Sequence, residues 1–152
     1  MKIQVLKSVD VKRALKCMKK ADDRFDSYDN RRIARYIKKP NHLILMASIK
    51  GKFVGYCGLM MEDDDIKIER LVDINKFLAV SWIGVLPEYK EMGIGSKLLK
   101  ASEKYTKRFK TKGIWLDCRK DKVPFYEKNG YKKVGYFMKK GQRQYVMLKR
   151  LK

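Results

Sequence analysis

The sequence predicts an α/β (α+β) fold, a mixed, mostly antiparallel central sheet of about seven strands flanked by about four helices. Three observations predict it. Strand-period and helix-period segments follow one another in the order β-α-α-β-β-β-α-β-α-β-β. Two tight turns, at Lys50-Gly51 and around Gly141, join apolar runs into hairpins. A continuous apolar run, "KFLAVSWIGVL", feeds an amphipathic helix through a short loop that carries Gly93 and Gly95.

Each element has a local reason. "KIQVLKSV" alternates and reads as a strand. "DVKRALKCMKKADDRF" opens on Asp10, a good N-cap residue, and carries Val11, Leu15 and Met18 on one helical face. "NRRIARYIKK" is a short second helix that Pro40 stops. "HLILMASIKGKFVGYCGLMM" is two strands about a tight turn, and "KFLAVSWIGVL" is a central strand expected to be buried on both faces. "GIGSKLLKASEKYTKRFK" is a helix with Ile94, Leu98, Leu99, Ser102 and Tyr105 as its buried stripe. "KGIWLDCRK" is a strand. "KVPFYEK" is a short helix with Pro124 near its first position and Asn129-Gly130 as its stop. "YKKVGYFMKK" and "QYVMLKRL" close the chain as two antiparallel strands. The pattern of residues 63–76 assigns no element.

Composition bounds the function. The 152 residues suit one domain, 1–152, and 45% hydrophobic content suffices for one core. No apolar run reaches the ~18 residues of a membrane span, and the N-terminal segment lacks the apolar block of a signal peptide. Cys17, Cys57 and Cys118 are odd in number and far apart, so they read as reduced thiols of a cytoplasmic protein. His42 is the only histidine and reads as a residue near the start of a strand, which argues against a His-rich metal site and a Ser-His-Asp triad, and no metal is expected. The formal net charge is +21, but Lys outnumbers Arg 28 to 10 and the lysines are scattered. That pattern reads as a solvated surface and argues against a nucleic-acid or membrane partner. The carboxylates are clustered instead: Asp22, Asp23, Asp26 and Asp29 form one group of 4. Glu62, Asp63, Asp64, Asp65, Glu69 and Asp73 form a group of 6, so 10 of the 17 lie in two short segments.

The loop before the "GIGSKLL" helix is the first candidate site. Helix N-terminal N–H groups lack internal partners and carry partial positive charge, so an anion fits there. Gly93 and Gly95 leave the backbone bare for a phosphate, or else serve close helix–strand packing. Lys90-x-x-Gly93-x-Gly95 is neither the Rossmann G-x-G-x-x-G nor a Walker loop.

One strand later comes "VPFYEKNGYKKVG". Together, "KEMGIG" and "FYEKNGY" resemble the two motifs of the GNAT superfamily of N-acetyltransferases, R/Q-x-x-G-x-G/A after the fourth strand and an "FYEKxGF"-like helix after the fifth. Order and spacing match over nearly the whole chain. The resemblance implies an acetyl-CoA-dependent transfer to a primary amine by direct attack in a ternary complex. It implies that the pyrophosphate sits on the amides of Glu91, Met92, Gly93, Ile94, Gly95 and Ser96, with Lys90 as a nearby cation. The pantetheine arm would lie beside the backbone of Ile83, Gly84 and Val85, with Gly84 suited to a bulge. Arg119 falls where many relatives carry an Asn that contacts the pantetheine, and Lys128 is assigned to the same cofactor side. Tyr126 matches the tyrosine beside the thioester sulfur, where a phenol, protonated at neutral pH, can donate to the leaving thiolate.

Two positions depart from the family pattern. Lys90 replaces an Arg or Gln, and Glu91 stands where relatives often have Gly, placing a carboxylate beside the anion site. The Glu that histone-type relatives use as general base corresponds to Ala79; Glu69, Asp73 and a water relay remain as candidates. The acidic clusters map to the acceptor side of the family and imply a cationic acceptor, a protein amine or a small amine, or else are solvated turns. The chain would act as a monomer or homodimer. The alternative is a non-catalytic CoA-binding or basic nucleic-acid-binding module on the same fold.

Overall fold

The computed structural model describes residues 1–61 and 70–151. Its strands are β1 (Lys2–Val5), β2 (His42–Ile49), β3 (Lys52–Met60), β4 (Leu78–Val85), β5 (Gly113–Cys118), β6 (Lys132–Lys139) and β7 (Gln142–Arg150). The helices are α1 (Val11–Ala21), α2 (Asn30–Lys38), α3 (Ile94–Glu103), the four-residue α4 (Tyr105–Arg108) and α5 (Val123–Lys128). The strands form a seven-stranded sheet in the order β1-β2-β3-β4-β5-β7-β6. The β4–β5 ladder is parallel, and the β1–β2, β2–β3, β5–β7 and β6–β7 ladders are antiparallel. This is the mixed, mostly antiparallel sheet that the sequence predicts. No helix among the described residues is long and apolar enough to cross a membrane.

The chain divides into two compact units. The first comprises Met1–Met60 and Ser81–Ser102, the second Met61–Val80 and Glu103–Lys152. In the first unit, α1 buries Val11, Ala14, Leu15, Cys17 and Met18. Asp10 precedes α1 without a side-chain capping bond; its carboxylate pairs with Arg13 at 3.1 Å instead. Asp29 does cap α2, accepting from the Arg32 N–H at 2.9 Å, and Ile33 is the inward residue of that helix. The β2–β3 hairpin turns through Lys50 and Gly51, both at positive φ, as a primed two-residue turn requires. A bulge in this ladder at Ala47/Ser48 leaves Val54 between register pairs, and its carbonyl accepts from the Leu86 N–H at 2.8 Å. Gly55 of β3 is the glycine that permits close helix packing: a Cβ there would stand 3.2 Å from Ile94 and 3.3 Å from Leu98 of α3.

In the second unit, β5 and β7 bury Ile114, Trp115, Leu116, Cys118, Val146, Met147 and Leu148, and Val72, Ile74, Phe77 and the first residues of β4 are buried as well. The single helix predicted over 93–110 is interrupted at Lys104. The Thr106 hydroxyl bonds back to the Glu103 carbonyl at 2.7 Å, competing with the main-chain ladder. The break also shifts the register of burial. Tyr105, predicted as part of the stripe, is half-buried and Thr106 takes the inward position.

Candidate active site

The first unit holds the C-terminal half of β4 and the turn into α3. β4 was expected to be buried throughout. Leu78, Ala79 and Val80 are buried, but Ser81 to Val85, which include the predicted pantetheine-binding Ile83, Gly84 and Val85, are only half-buried. A ring cluster covers part of this segment. Phe25, fully buried, meets Tyr28, Tyr56 and Trp82 edge-on at centroid distances of 5.0, 5.6 and 5.2 Å. Trp82 also meets Tyr36 at 4.6 Å, and the Tyr36 hydroxyl bonds the Ser81 hydroxyl at 2.6 Å and donates to the Leu59 carbonyl at 3.1 Å.

Gly84 has a steric reason in this cluster. A Cβ there would run into the Tyr56 hydroxyl and stand 2.6 Å from Cζ and 2.8 Å from Cε1 of the same ring. The Tyr56 side chain is 1% exposed, and its hydroxyl has no hydrogen-bond partner among the described residues. Burial pushes its pKa well above the ordinary phenol range, so the group stays a neutral donor. Sequence reasoning missed Tyr56; the only trace of it was the small residues that flank it in "VGYCG".

The turn follows. Lys90 is extended, Glu91 has φ 65° and Gly93 has φ 79°. Left-handed residues in a turn make successive N–H groups converge, a geometry suited to anions. The Gly93 carbonyl accepts the first helical bond, from the Lys97 N–H at 3.0 Å. The N–H groups of Ile94, Gly95 and Ser96 therefore fall in the first turn, where helices have no internal acceptors. Gly93 does not serve close packing: no atom lies within 4 Å of where its Cβ would be. Its requirement is the positive φ, and it leaves open space above the turn. Lys90, Glu91, Met92 and Gly93 are exposed, Gly95 and Ser96 half-buried, and Ile94 is buried as the anchor of the turn.

The second unit holds Tyr126, Arg119 and Lys128. α5 ends in a Schellman motif: the Tyr131 N–H reaches the Tyr126 carbonyl and the Gly130 N–H the Glu127 carbonyl, both at 3.0 Å, with Gly130 at φ 91°. Asn129 adds a side-chain bond to the Phe125 carbonyl at 2.8 Å. These contacts fix the backbone that carries Tyr126, whose ring is 7% exposed and packs edge-on against Phe125 at 5.1 Å and Tyr131 at 5.9 Å. Arg119 is exposed and 3.8 Å from Asp121; the Lys128 ammonium lies 5.9 Å from the centroid of the Phe125 ring.

The base candidates thin out. Ala79 is buried and carries no titratable group. Asp73 accepts from the Asn75 N–H at 3.2 Å and sits 3.5 Å from Lys76, as a turn residue does. Glu69, with Glu62, Asp63, Asp64 and Asp65, lies outside the described residues. In the first acidic cluster, Asp22 accepts from the Arg24 N–H at 2.9 Å and pairs with its guanidinium at 2.8 Å, while Asp29 caps α2. Only the carboxylates of Asp23 and Asp26 remain without such structural duties. Among the described residues no group of three or more His, Cys, Asp or Glu is placed to hold a metal ion.

A sequence model of the acetyltransferase (GNAT) family matches residues 10–131. An N-alpha-acetyltransferase of Sulfurisphaera tokodaii is 29% identical over 119 residues, 74% of this chain and 71% of that one. The crystal structure of a Streptococcus mutans UA159 protein superposes with a TM-score of 0.80 at 18% identity, covering 100% of both chains. An aminoglycoside 6'-N-acetyltransferase complexed with coenzyme A superposes with a TM-score of 0.78 at 16% identity, covering 99% of this chain and 97% of that one.

Proposed function

The chain belongs to the GNAT family of acetyltransferases, and from that premise we propose that residues 1–152 act as one domain that moves an acetyl group from acetyl-CoA to a primary amine within a ternary complex. The observation that carries the reading is the turn from Lys90 to Ser96. It sets left-handed backbone at Glu91 and Gly93 at the start of α3 and leaves open space over Gly93. Its amides, with the Lys90 ammonium, would take the cofactor's pyrophosphate, and the half-buried backbone of Ile83, Gly84 and Val85 would bond the pantetheine arm. Arg119 and Lys128 are cations assigned to the same ligand. No metal takes part in this reading.

The amine nitrogen attacks the thioester carbonyl carbon, the C–S bond breaks, and the Tyr126 hydroxyl gives its proton to the departing thiolate. The proton lost by the amine passes to water or to Glu69, and the Tyr126 hydroxyl regains its own from solvent; Ala79 has no titratable group and Asp73 is engaged as a turn residue. Holding amine and thioester together supplies much of the rate. The acceptor is a cationic amine, with a peptide N-terminus favoured by the likeness to an N-alpha-acetyltransferase.

Steady-state kinetics test this. Thiol release from acetyl-CoA should depend on a peptide with a free N-terminus. Tyr126→Phe keeps the ring and its packing but should lower kcat about 100-fold, the lower end of what a positioned acid contributes, and leave the acetyl-CoA dissociation constant unchanged. Wild-type kcat in that variant, with chemistry rate-limiting, would return Tyr126 to a packing role.

A further inference from the structure

Scattered lysines led the sequence reading away from an anionic partner, yet the arginines are not scattered. Four of the ten, Arg24, Arg31, Arg32 and Arg35, lie within twelve residues. Arg24 is held by Asp22, and the Arg32 guanidinium stacks 3.6 Å from the centroid of the Tyr28 ring. The other two behave differently. Arg31, Arg35 and Lys38 stand at i, i+4 and i+7 of α2, opposite the buried Ile33, so one solvent-facing stripe carries all three. With Asp29 and Ala34 they line a shallow groove. The Asp29 carboxylate is engaged as the helix cap. Arg31, Arg35 and Lys38 are exposed, and none has an ion-pair partner among the described residues. Their spacing along the helix axis is about 6 and 4.5 Å.

We propose that this face of α2 binds the phosphate backbone of duplex nucleic acid, without reading sequence. Two planar guanidinium forks and an ammonium, gathered in one groove and without an ion-pair partner among the described residues, match phosphate oxygens. A formal charge of +21 adds long-range attraction to such a polyanion. The site needs no cofactor and no catalytic residue, so it stands or falls apart from the acetyl transfer.

The test uses the full chain and a short mixed-sequence DNA duplex, with binding followed by fluorescence anisotropy across a salt series. Three phosphate contacts contribute about −2.7 to the slope of log K against log salt. They alone should weaken binding about 40-fold between about 50 and 200 mM salt. The triple variant Arg31→Gln, Arg35→Gln, Lys38→Gln should lose that part of the slope while its melting temperature holds. The control is Lys12→Gln, Lys16→Gln, Lys19→Gln, which removes the same charge at the same helical spacing from the exposed face of α1. It should bind the duplex nearly as wild type does. Equal weakening in both variants would overturn the proposal, because attraction would then be delocalised over the surface. So would the absence of wild-type binding at low salt. Loss of binding to phosphatidylcholine–phosphatidylserine vesicles, but not to the duplex, in the α2 variant would reassign the stripe to a lipid surface.

Discussion

Gly84→Ala should destabilise the protein through a single ring. The new methyl carbon would stand 2.6 Å from Tyr56 Cζ and 2.8 Å from Cε1, with the hydroxyl nearer still. Ordinary carbon contacts lie at about 3.5–4.0 Å, so the overlap is about 1 Å. The ring has nowhere to go: Tyr56 is 1% exposed and is met edge-on by Phe25, itself 0% exposed, at 5.6 Å. Overpacking of this kind costs about 1–3 kcal/mol, and the closed surroundings favour the upper end. At about 2–4 °C per kcal/mol for a chain of this size, the melting temperature should fall by about 6–12 °C. Tyr56→Leu removes the clashing atoms at the cost of a cavity, about 2 kcal/mol by itself. In that background Gly84→Ala should become nearly neutral. A double-mutant cycle by urea unfolding should therefore return a favourable coupling of about 2–3 kcal/mol. Additive losses would show that Gly84 is required for another reason, such as the bulge that the sequence suggested, and that the ring tolerates a methyl beside it.

Two further outcomes follow from the same coordinates. Glu91→Gly removes a non-glycine side chain from φ 65° and a carboxylate from the anion turn; stability should change by less than about 1 kcal/mol, because the strain relieved is offset by glycine's entropy. Acetyl-CoA should bind about two- to fivefold tighter by calorimetry, the effect of about 0.3–1 kcal/mol at a helix N-terminus, and an unchanged affinity would show that the carboxylate never meets the anion. Burial pushes the Cys57 thiol from 9.0 up to about 12, so the folded state keeps a proton that the unfolded chain gives up near pH 9. Stability should consequently fall as pH rises above 9. Cys57→Ala should flatten the slope of urea-derived stability between pH 9 and 10.5, by about 0.7 kcal/mol per pH unit at pH 9 rising to about 1.4 at pH 10.5, and an unaltered slope would refute a buried neutral thiol.

What the sequence revealed and what it hid divide along physical lines. Features encoded within a few residues were legible. Lys50-Gly51 and Gly141 marked hairpins, Pro40 and Asn129-Gly130 marked helix ends, and the glycines of "KEMGIG" marked a turn into a helix. Features set by partners distant in sequence were not. Nothing near Gly84 announces Tyr56. The break at Lys104 was hidden for another reason: its bond, Thr106 to Glu103, spans only three residues, but the hydrophobic pattern of the helix runs on through it. The apolar run over β4 predicted burial throughout, because side-chain type does not report which neighbours a strand has; Ser81 to Val85 are half-buried despite Trp82, Ile83 and Val85. For Gly93 the sequence left phosphate approach and close packing equally open, and only the empty space about its Cα separates them.

Charge is the extreme case of this dependence on context. A formal sum counts Asp22 and Asp23 alike, and Arg24 and Arg31 alike. In the fold Asp22 and Arg24 cancel at 2.8 Å, and Asp29 is spent on the first turn of α2. That leaves Asp23 and Asp26, two carboxylates rather than four, to greet a cationic acceptor, so the acidic cluster is a weaker argument for acceptor charge than its density implies. The same sorting strengthens the opposite sign. Once the paired and stacked arginines are set aside, the cations that remain on α2 are those whose charge is still available to a ligand, and they share one face of one helix. The net charge of +21 therefore carries little information spread over 152 residues. Exposed and unpaired lysines are common on this chain, and what sets α2 apart is that two guanidinium forks share one groove with Lys38.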